Sequence, residues 1–163
     1  MPVGEAEALP LAALSADVTG SPPPLPLILL VDDNGDARVM YTICLEFAGF
    51  ACITAQDGRQ AIERIGERRP ALVLMDASMP VMDGWEATLR LKADPLTRDI
   101  PIYMLTAHAF PEHRRHALEV GADGFLSKPL MPDDLVREVR RALNLQEVAS
   151  PATISAATGG GVA

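Results

Sequence analysis

The 163-residue sequence lacks several features that would assign it to a class of protein. Its two cysteines, Cys44 and Cys52, lie in apolar segments without zinc-type spacing, so we expect reduced thiols in a core. No apolar run approaches the roughly 20 residues that span a bilayer. Glu5 and Glu7 stand where a signal peptide would need positive charge. These absences predict a soluble cytoplasmic protein with no membrane partner.

Positive charge is also scarce, because the net charge is -8 and no long basic run occurs. A protein that binds nucleic acid through phosphate contacts needs such a run, so we expect no nucleic-acid partner. Hydrophobic residues make up 48% of the chain, which is enough for one ordinary folded domain.

Both ends of the chain differ in composition from its centre. Residues 1–24 are rich in proline, with glycine, serine and alanine, and predict a flexible leader. Residues 146–163 consist mainly of alanine, serine, threonine and glycine and predict a disordered tail. The folded domain is therefore expected over residues 25–145.

Within this domain, short apolar runs alternate with segments of helical periodicity. The runs predict strands at residues 27–31, 51–54, 71–75, 100–105 and 124–127. A helical pattern follows each run, with Asp57 as the expected N-cap of the second helix and Pro132 in the first turn of the fifth. Five β-then-α units predict an α/β fold, a doubly wound parallel sheet covered by helices on both faces.

Polar side chains follow four of the five predicted strands. The first strand ends at Asp32 and Asp33, the third at Asp76, the fourth at Thr106 and the fifth at Lys128. In an open parallel sheet these positions meet along the carboxyl edge, where ligands bind. Three acids, one hydroxyl and one ammonium group are therefore expected in one crevice.

This set of groups predicts a metal-assisted phosphoryl site. Three adjacent carboxylates raise one another's pKa unless a cation joins them, and an all-oxygen site suits Mg²⁺. The charges of Mg²⁺ and Lys128 balance those of Asp32, Asp33 and Asp76. A carboxylate in such a site can attack a phosphoryl donor, and Thr106 can donate to a phosphoryl oxygen.

Simpler interpretations exist for each residue taken alone. Asp32 and Asp33 could cap a helix, Thr106 could be an ordinary strand-end hydroxyl, and Lys128 could be a solvated surface charge. The joint occurrence at four strand ends favours the functional interpretation.

Three histidines, His108, His113 and His116, cluster near the predicted fourth helix. Glu112 is the one acid that could complete a set of metal ligands with these histidines. A solvated face of the fourth helix is the preferred interpretation. Trp85 is assigned to packing.

The sequence resembles the receiver-domain family of response regulators across roughly residues 27–143. Four motifs carry the resemblance in order: LVDDN at 30–34, LMDASMPVMDG at 74–84, LTA at 105–107 and GADGFLSKP at 121–129. The resemblance implies a flavodoxin-like (βα)5 sheet with strand order 2-1-3-4-5. It also implies that Gly84 helps the loop turn into the third helix.

The resemblance assigns a role to each acid. Asp76 would be the phosphoacceptor and a ligand of Mg²⁺. Asp33 would bind the metal directly, Asp32 largely through water, and Ser78 through its backbone carbonyl. Ser78 also occupies a position that tunes dephosphorylation in the family.

A switch pair and a phosphate contact are implied as well. The Thr106 hydroxyl would move toward the phosphoryl group while the ring of Phe125 turns inward behind it. Lys128 would pair with the phosphate, and the bond between Lys128 and Pro129 would be cis. Phe125 replaces the tyrosine that is also common there, and His108 occupies the second tuning position.

The implied function is that of a stand-alone response regulator. A sensor histidine kinase or histidine phosphotransfer protein would phosphorylate Asp76, and the α4-β5-α5 face would then bind a downstream protein or pass the phosphoryl group on. The tail after Leu145 is too short for an output domain. A monomer or a phosphorylation-linked dimer fits this function, and catalysis would be limited to its own phosphorylation and dephosphorylation.

Two alternatives remain open. An aspartyl-phosphate phosphatase or phosphotransferase would need a second acid, but Ser78 stands two residues past Asp76. A phosphorylation-independent scaffold would not need the complete set of acids, threonine and lysine.

Overall fold

The computed structural model describes residues 23–145, so the predicted tail and nearly all of the predicted leader lie outside the described residues. Strands and helices alternate along the described chain. The strands are β1 (Leu27–Val31), β2 (Ala51–Ala55), β3 (Leu72–Asp76), β4 (Ile102–Thr106) and β5 (Gly124–Ser127). The helices are α1 (Gly35–Phe47), α2 (Gly58–Glu67), α3 (Gly84–Ala93), α4 (Pro111–Glu119) and α5 (Pro132–Ala142).

The sheet is parallel throughout and has the order β2-β1-β3-β4-β5, which confirms the predicted fold. β2, β3 and β4 each end one residue later than predicted, so Asp76 and Thr106 belong to the strands themselves. β4 also begins later, at Ile102, because Pro101 has no N–H group for the ladder. The functional side chains are thus fixed by strand backbone as well as by loops.

Side-chain caps set the beginnings of the first three helices. Asn34 accepts a hydrogen bond from Ala37 N at α1, and Asp57 accepts one from Gln60 N at α2, as predicted for Asp57. Asp83 caps α3 in the same way. α4 and α5 instead begin with a proline in the first turn, as predicted for Pro132.

Two apolar clusters hold the helices against the sheet. β1 shows the division, because Ile28 and Leu30 face the cluster under α1 and α5, whereas Leu29 and Val31 face the cluster on the side of α2 and α3. All four side chains are 0% exposed. A strand buried on both faces is rigid, so the residues at its carboxyl end are held in place. No helix in residues 23–145 is long and apolar enough to cross a membrane.

Candidate functional site

The three aspartates predicted to converge do so at the carboxyl edge of the sheet. Asp32 and Asp33 follow β1, and Asp76 ends β3. One carboxylate oxygen from each residue lies within 4.8 Å of those of the other two. Asp32 and Asp76 are buried, whereas Asp33 is exposed. The site therefore has a buried floor and one side open to solvent.

Asp32 is held by three hydrogen bonds from different parts of the chain. Its Oδ1 accepts from the Asn34 amide at 2.9 Å, and its Oδ2 accepts from Lys128 Nζ at 2.5 Å. Its backbone carbonyl accepts from the Arg38 guanidinium at 2.7 Å. These contacts orient the carboxylate before any ligand binds.

Lys128 reaches the acids from the end of β5. Its Nζ lies 2.5 Å from an Asp32 oxygen and 3.5 Å from an Asp76 oxygen. Burial lowers the pKa of Lys128, but the hydrogen bond that Lys128 donates to Asp32 and the charge of Asp76 outweigh this effect and raise the pKa above its usual value. The ammonium group therefore stays charged beside the acids. The bond between Lys128 and Pro129 is cis, as the resemblance implied.

Asp76 occupies the least favourable position for a negative charge. Burial raises its pKa to about 6, with Lys128 opposing the rise and the charges of Asp32 and Asp33 adding to it. A divalent cation among these three carboxylates would reverse the repulsion, and their hard oxygen ligands suit such an ion. The acidic cluster can therefore hold a metal, with the solvent-exposed side at Asp33 leaving room for water ligands.

Close packing at the site requires glycine at position 84, where α3 begins. A side chain at Gly84 would collide with the backbone oxygen of Asp76, and the Gly84 amide donates to Ala77 O at 3.0 Å. Its backbone does not have the positive φ that would require glycine in a turn. Gly84 therefore allows α3 to pack directly against the end of β3.

The sheet ladder joins Thr106 to the same edge. Lys128 N donates to Thr106 O at 2.7 Å, so Lys128, which directly follows β5, lies beside Thr106 at the end of β4. The Thr106 hydroxyl is turned to its own loop, where it donates to His108 O and accepts from His108 N, both at 3.2 Å. The structure thus brings Thr106 to the site with its hydroxyl engaged elsewhere.

Ser78 and Phe125 occupy different surroundings. The Ser78 amide donates to Asp76 Oδ1 at 3.4 Å, and its side chain is exposed. Phe125 is half-buried against the cluster on the side of α2 and α3, with the Arg114 guanidinium carbon 6.0 Å from the ring centre. Ser78 therefore belongs to the acidic site, whereas Phe125 packs against the apolar cluster. The metal contact of Ser78 and the switch role of Phe125 stay predictions.

The prediction that the histidines lie on a solvated face of α4 was incomplete. His113 and His116 contact Trp85, with ring centres 6.2 Å and 4.5 Å apart, so this face of α4 is not simply solvated. In residues 23–145 the aspartate cluster is the only group of three or more histidine, cysteine, aspartate or glutamate side chains placed to hold a metal ion. Trp85 packs against the core as assigned.

Two basic residues were not identified from the sequence. Arg38 binds the Asp32 carbonyl, and its position in the first turns of α1, soon after the aspartate pair, was the available signal. Lys92 joins Asp123 at 2.7 Å and two backbone carbonyls at the opposite end of the sheet. No local pattern indicates this second lysine contact, since its partners lie in other elements.

Comparison with known proteins places this site in a family. The family described as response regulator receiver domain matches residues 28–140. PhoB of Pseudomonas aeruginosa, a phosphate regulon transcriptional regulatory protein, is 43% identical over 116 residues, covering 71% of this chain and 51% of PhoB. The transcriptional regulatory protein PrrA of Mycobacterium tuberculosis is 35% identical over 133 residues, covering 82% of this chain and 55% of PrrA. The chain thus spans about half the length of these curated relatives.

Solved structures agree with the sequence matches. Chemotaxis protein CheY4 of Vibrio cholerae superimposes with a TM-score of 0.70 and 34% identity, covering 73% of this chain and 99% of CheY4. A putative response regulator from Chloroflexus aurantiacus gives 0.70 and 32% identity, covering 74% and 98% of the two chains. The chain therefore belongs to the response regulator receiver domain family of two-component systems.

Proposed function

We propose that this receiver is a switch operated by phosphorylation of Asp76. The observation that carries the proposal is the position of one Asp76 oxygen, 3.5 Å from Lys128 Nζ, in a carboxylate that also lies within reach of Asp32 and Asp33. A buried carboxylate beside two acids and an ammonium group is suited to become an acyl phosphate. The ammonium group, together with a cation held by the acids, then stabilises the negative charge of the phosphoryl oxygens.

The transfer forms one bond and breaks one. An Asp76 carboxylate oxygen attacks phosphorus, and the bond to the donor breaks with its electron pair going to the leaving group. That bond is P–N for a phosphohistidine and P–O for acetyl phosphate. Lys128 pairs with a phosphoryl oxygen as the charge moves onto Asp76.

Mg²⁺ is the cation that best suits the donor set. Asp33 and Asp76 would hold it directly, Asp32 largely through water, and Ser78 through its backbone carbonyl. When bound, it supplies positive charge to the phosphoryl oxygens. Asp32 is already oriented for this task by Lys128.

The signal would leave the site through Thr106. Its hydroxyl turns from His108 toward the new phosphoryl oxygens, and Phe125 moves inward behind it. Phe125 lies on β5 next to α4, so the face formed by α4, β5 and α5 changes. This face then binds a downstream protein or supports transfer of the phosphoryl group onward.

A protein donor, either a sensor histidine kinase or a histidine phosphotransfer protein, is supported by the surface of α1. This helix begins beside the acids and carries Val39, Ile43 and Phe47 at intervals of four residues, exposed 60%, 61% and 93%. An apolar stripe next to the phosphoacceptor gives an incoming protein a contact that a small donor does not use. We expect Ile43→Glu to slow phosphorylation by the protein donor and not by acetyl phosphate.

The output and the single-domain organisation are proposals as well. We propose contact with a protein, and no turnover of a separate substrate, since Ser78 stands where a second acid would be needed. The relatives PhoB and PrrA carry the names of transcriptional regulators. That this receiver acts without a DNA-binding domain stays a prediction, because the chain spans about half the length of these relatives.

The test is incubation with acetyl phosphate and Mg²⁺, followed by intact mass measurement of the wild type and Asp76→Asn. We expect one phosphoryl adduct that is labile to base in the wild type and none in the variant. Equal labelling of the two proteins would refute the assignment of Asp76. Sustained release of inorganic phosphate from a small phosphorylated metabolite would instead favour the phosphatase alternative.

A further inference from the structure

The carbonyl of His108 is shared by two donors from opposite ends of the loop between β4 and α4. The Thr106 hydroxyl donates to it at 3.2 Å, and the His113 ring donates to it through Nδ1 at 2.7 Å. The His108 amide also donates back to Thr106 Oγ1 at 3.2 Å. The end of β4 and the first turn of α4 thus meet at one backbone oxygen.

The acceptor determines which ring nitrogen of His113 carries a proton. A carbonyl oxygen only accepts hydrogen bonds, so the His113 Nδ1 atom must carry the proton in this contact. The protonated imidazolium also has a proton at Nδ1, and the contact therefore persists in both charge states. The contact fixes the position of the His108 carbonyl and does not depend on the charge of the ring.

The ring of His113 is held in place by other rings. Its centre lies 6.2 Å from that of Trp85 and 5.8 Å from that of Phe110, the latter in an edge-on arrangement. These aromatic contacts come from α3 and from the loop itself. They limit the freedom of the side chain, so its hydrogen bond costs less conformational entropy to form.

The Thr106 hydroxyl has one proton to donate. It can give that proton to His108 O or to a phosphoryl oxygen on Asp76, but not to both. A contact that keeps His108 O close to Thr106 therefore favours the resting orientation of the hydroxyl. Because a ligand shifts a conformational equilibrium only through differential stability of the two states, such a contact sets the response to phosphorylation.

We propose that His113 is a positioning residue that holds the His108 carbonyl where it retains the Thr106 hydroxyl, and so restrains the switch in its resting state. The inference rests on the proposed function, since it takes Thr106 as the switch residue. His113 does not touch the phosphoryl group and acts through the loop alone.

Two substitutions at the same position separate the hydrogen bond from the ring. The Nδ2 of asparagine occupies the place of Nδ1, so His113→Asn keeps a donor toward His108. The donor of glutamine lies farther along the side chain, so His113→Gln removes this contact. Both variants lose the aromatic packing equally, and His116→Asn, which changes the neighbouring Trp85 contact, is the control.

The probe is beryllium fluoride with Mg²⁺, a mimic of a phosphoryl group on a carboxylate, titrated against the fluorescence of Trp85, the single tryptophan of the chain. For His113→Gln we expect the apparent Kd to fall by about three- to tenfold, the range of one hydrogen bond. For His113→Asn and His116→Asn we expect values within about twofold of the wild type. In a Thr106→Val background the difference between Gln and Asn at position 113 disappears, because no hydroxyl remains to be retained.

The outcomes distinguish this inference from the proposed function. If the wild type forms no adduct with acetyl phosphate, the proposed function itself is wrong. If the adduct forms but Gln and Asn at position 113 give equal Kd values, the hydrogen bond to His108 does not restrain the switch. A weaker Kd for His113→Gln would likewise overturn the inference, as would a difference that survives in Thr106→Val.

Discussion

Burial and the charge of Lys128 act in opposite directions on the pKa of Asp76. Its pKa of about 6 means that the folded chain without metal holds this proton more tightly than the unfolded chain does. Between about pH 4 and pH 6 the folded state therefore binds more protons, and the free energy of unfolding falls as pH rises. Above pH 6 the ionised carboxylate costs the fold on the order of 2–3 kcal/mol.

We therefore predict that Asp76→Asn stabilises the protein in EDTA at pH 7.5 by roughly 1–3 kcal/mol. The gain over the wild type should shrink toward pH 4, because the Asp76 carboxyl is protonated in the folded state there and begins to be protonated in the unfolded state, where its pKa has the ordinary value of 3.8. Urea unfolding at several pH values measures it. Asp33→Asn is the control. Because Asp33 is exposed, its substitution should raise the free energy of unfolding by less. A gain that does not depend on pH would contradict the electrostatic cause.

Gly84 provides a second prediction for a single residue. A methyl group there would overlap the Asp76 backbone oxygen, so Gly84→Ala should cost about 2–4 kcal/mol and slow labelling of Asp76 by acetyl phosphate. Gly66→Ala is a matched control in α2, where nothing lies within 4 Å of an added methyl group. It should stabilise the protein by about 0.5–1 kcal/mol, since alanine is the better helix former. Equal effects of the two substitutions would show that close packing at Gly84 is unimportant.

At the scale of elements, the loop between β3 and α3 contains a strained turn. Val81 has a φ of 68°, and Met82 N donates to Pro80 O at 2.8 Å across it, which makes a three-residue turn. A β-branched residue rarely adopts a positive φ, and the side chain is 80% exposed, so burial does not compensate. The loop connects Asp76 to Gly84, so the strain lies beside the site.

We predict that Val81→Gly raises the free energy of unfolding by about 1 kcal/mol, because relief of the strain exceeds the added entropy of the unfolded chain. Thermal and urea unfolding provide the measurement. Val39→Gly replaces an exposed valine in the regular helix α1 and should instead destabilise the protein by a few tenths of a kcal/mol. If both substitutions destabilise alike, the turn at Val81 is not strained.

The elements themselves were largely predictable. Apolar runs located all five strands, and Asp57 and Pro132 located two helix starts, because strand burial and helix capping depend on neighbouring residues. The ends of β2, β3 and β4 were each misplaced by one residue. Pairing with the adjacent strand decides those ends, and that pairing is not a local property.

At the scale of the whole molecule, each of the two lysines joins distant elements at one end of the sheet. Lys128 binds Asp32 at the carboxyl edge, and Lys92 binds Asp123 at the other. Between them, both apolar clusters are formed by β1 to α5 and their connecting loops. The described residues therefore form an apolar cluster on each face of the sheet.

A fragment of residues 23–145 should accordingly unfold with the same free energy as the full chain, within about 0.5 kcal/mol. Its Asp76 should be labelled by acetyl phosphate at the same rate. Urea unfolding and intact mass measurement check the two expectations. A marked loss of stability in the fragment would show that residues 1–22 or 146–163 contribute to the fold, contrary to the predicted boundaries of the domain.

The sequence by itself determined the alternation of strands and helices along the chain and the identity of the groups at the carboxyl ends of the strands, because periodicity and residue type are local properties. The order of the strands in the sheet was implied by the family resemblance. Only the tertiary structure decided which groups touch: that Lys128 binds Asp32 more closely than Asp76, that Gly84 packs on the Asp76 backbone, and that His113 shares a carbonyl with Thr106. These contacts join residues from different elements, and their distances depend on strand register and helix packing summed over the whole sheet.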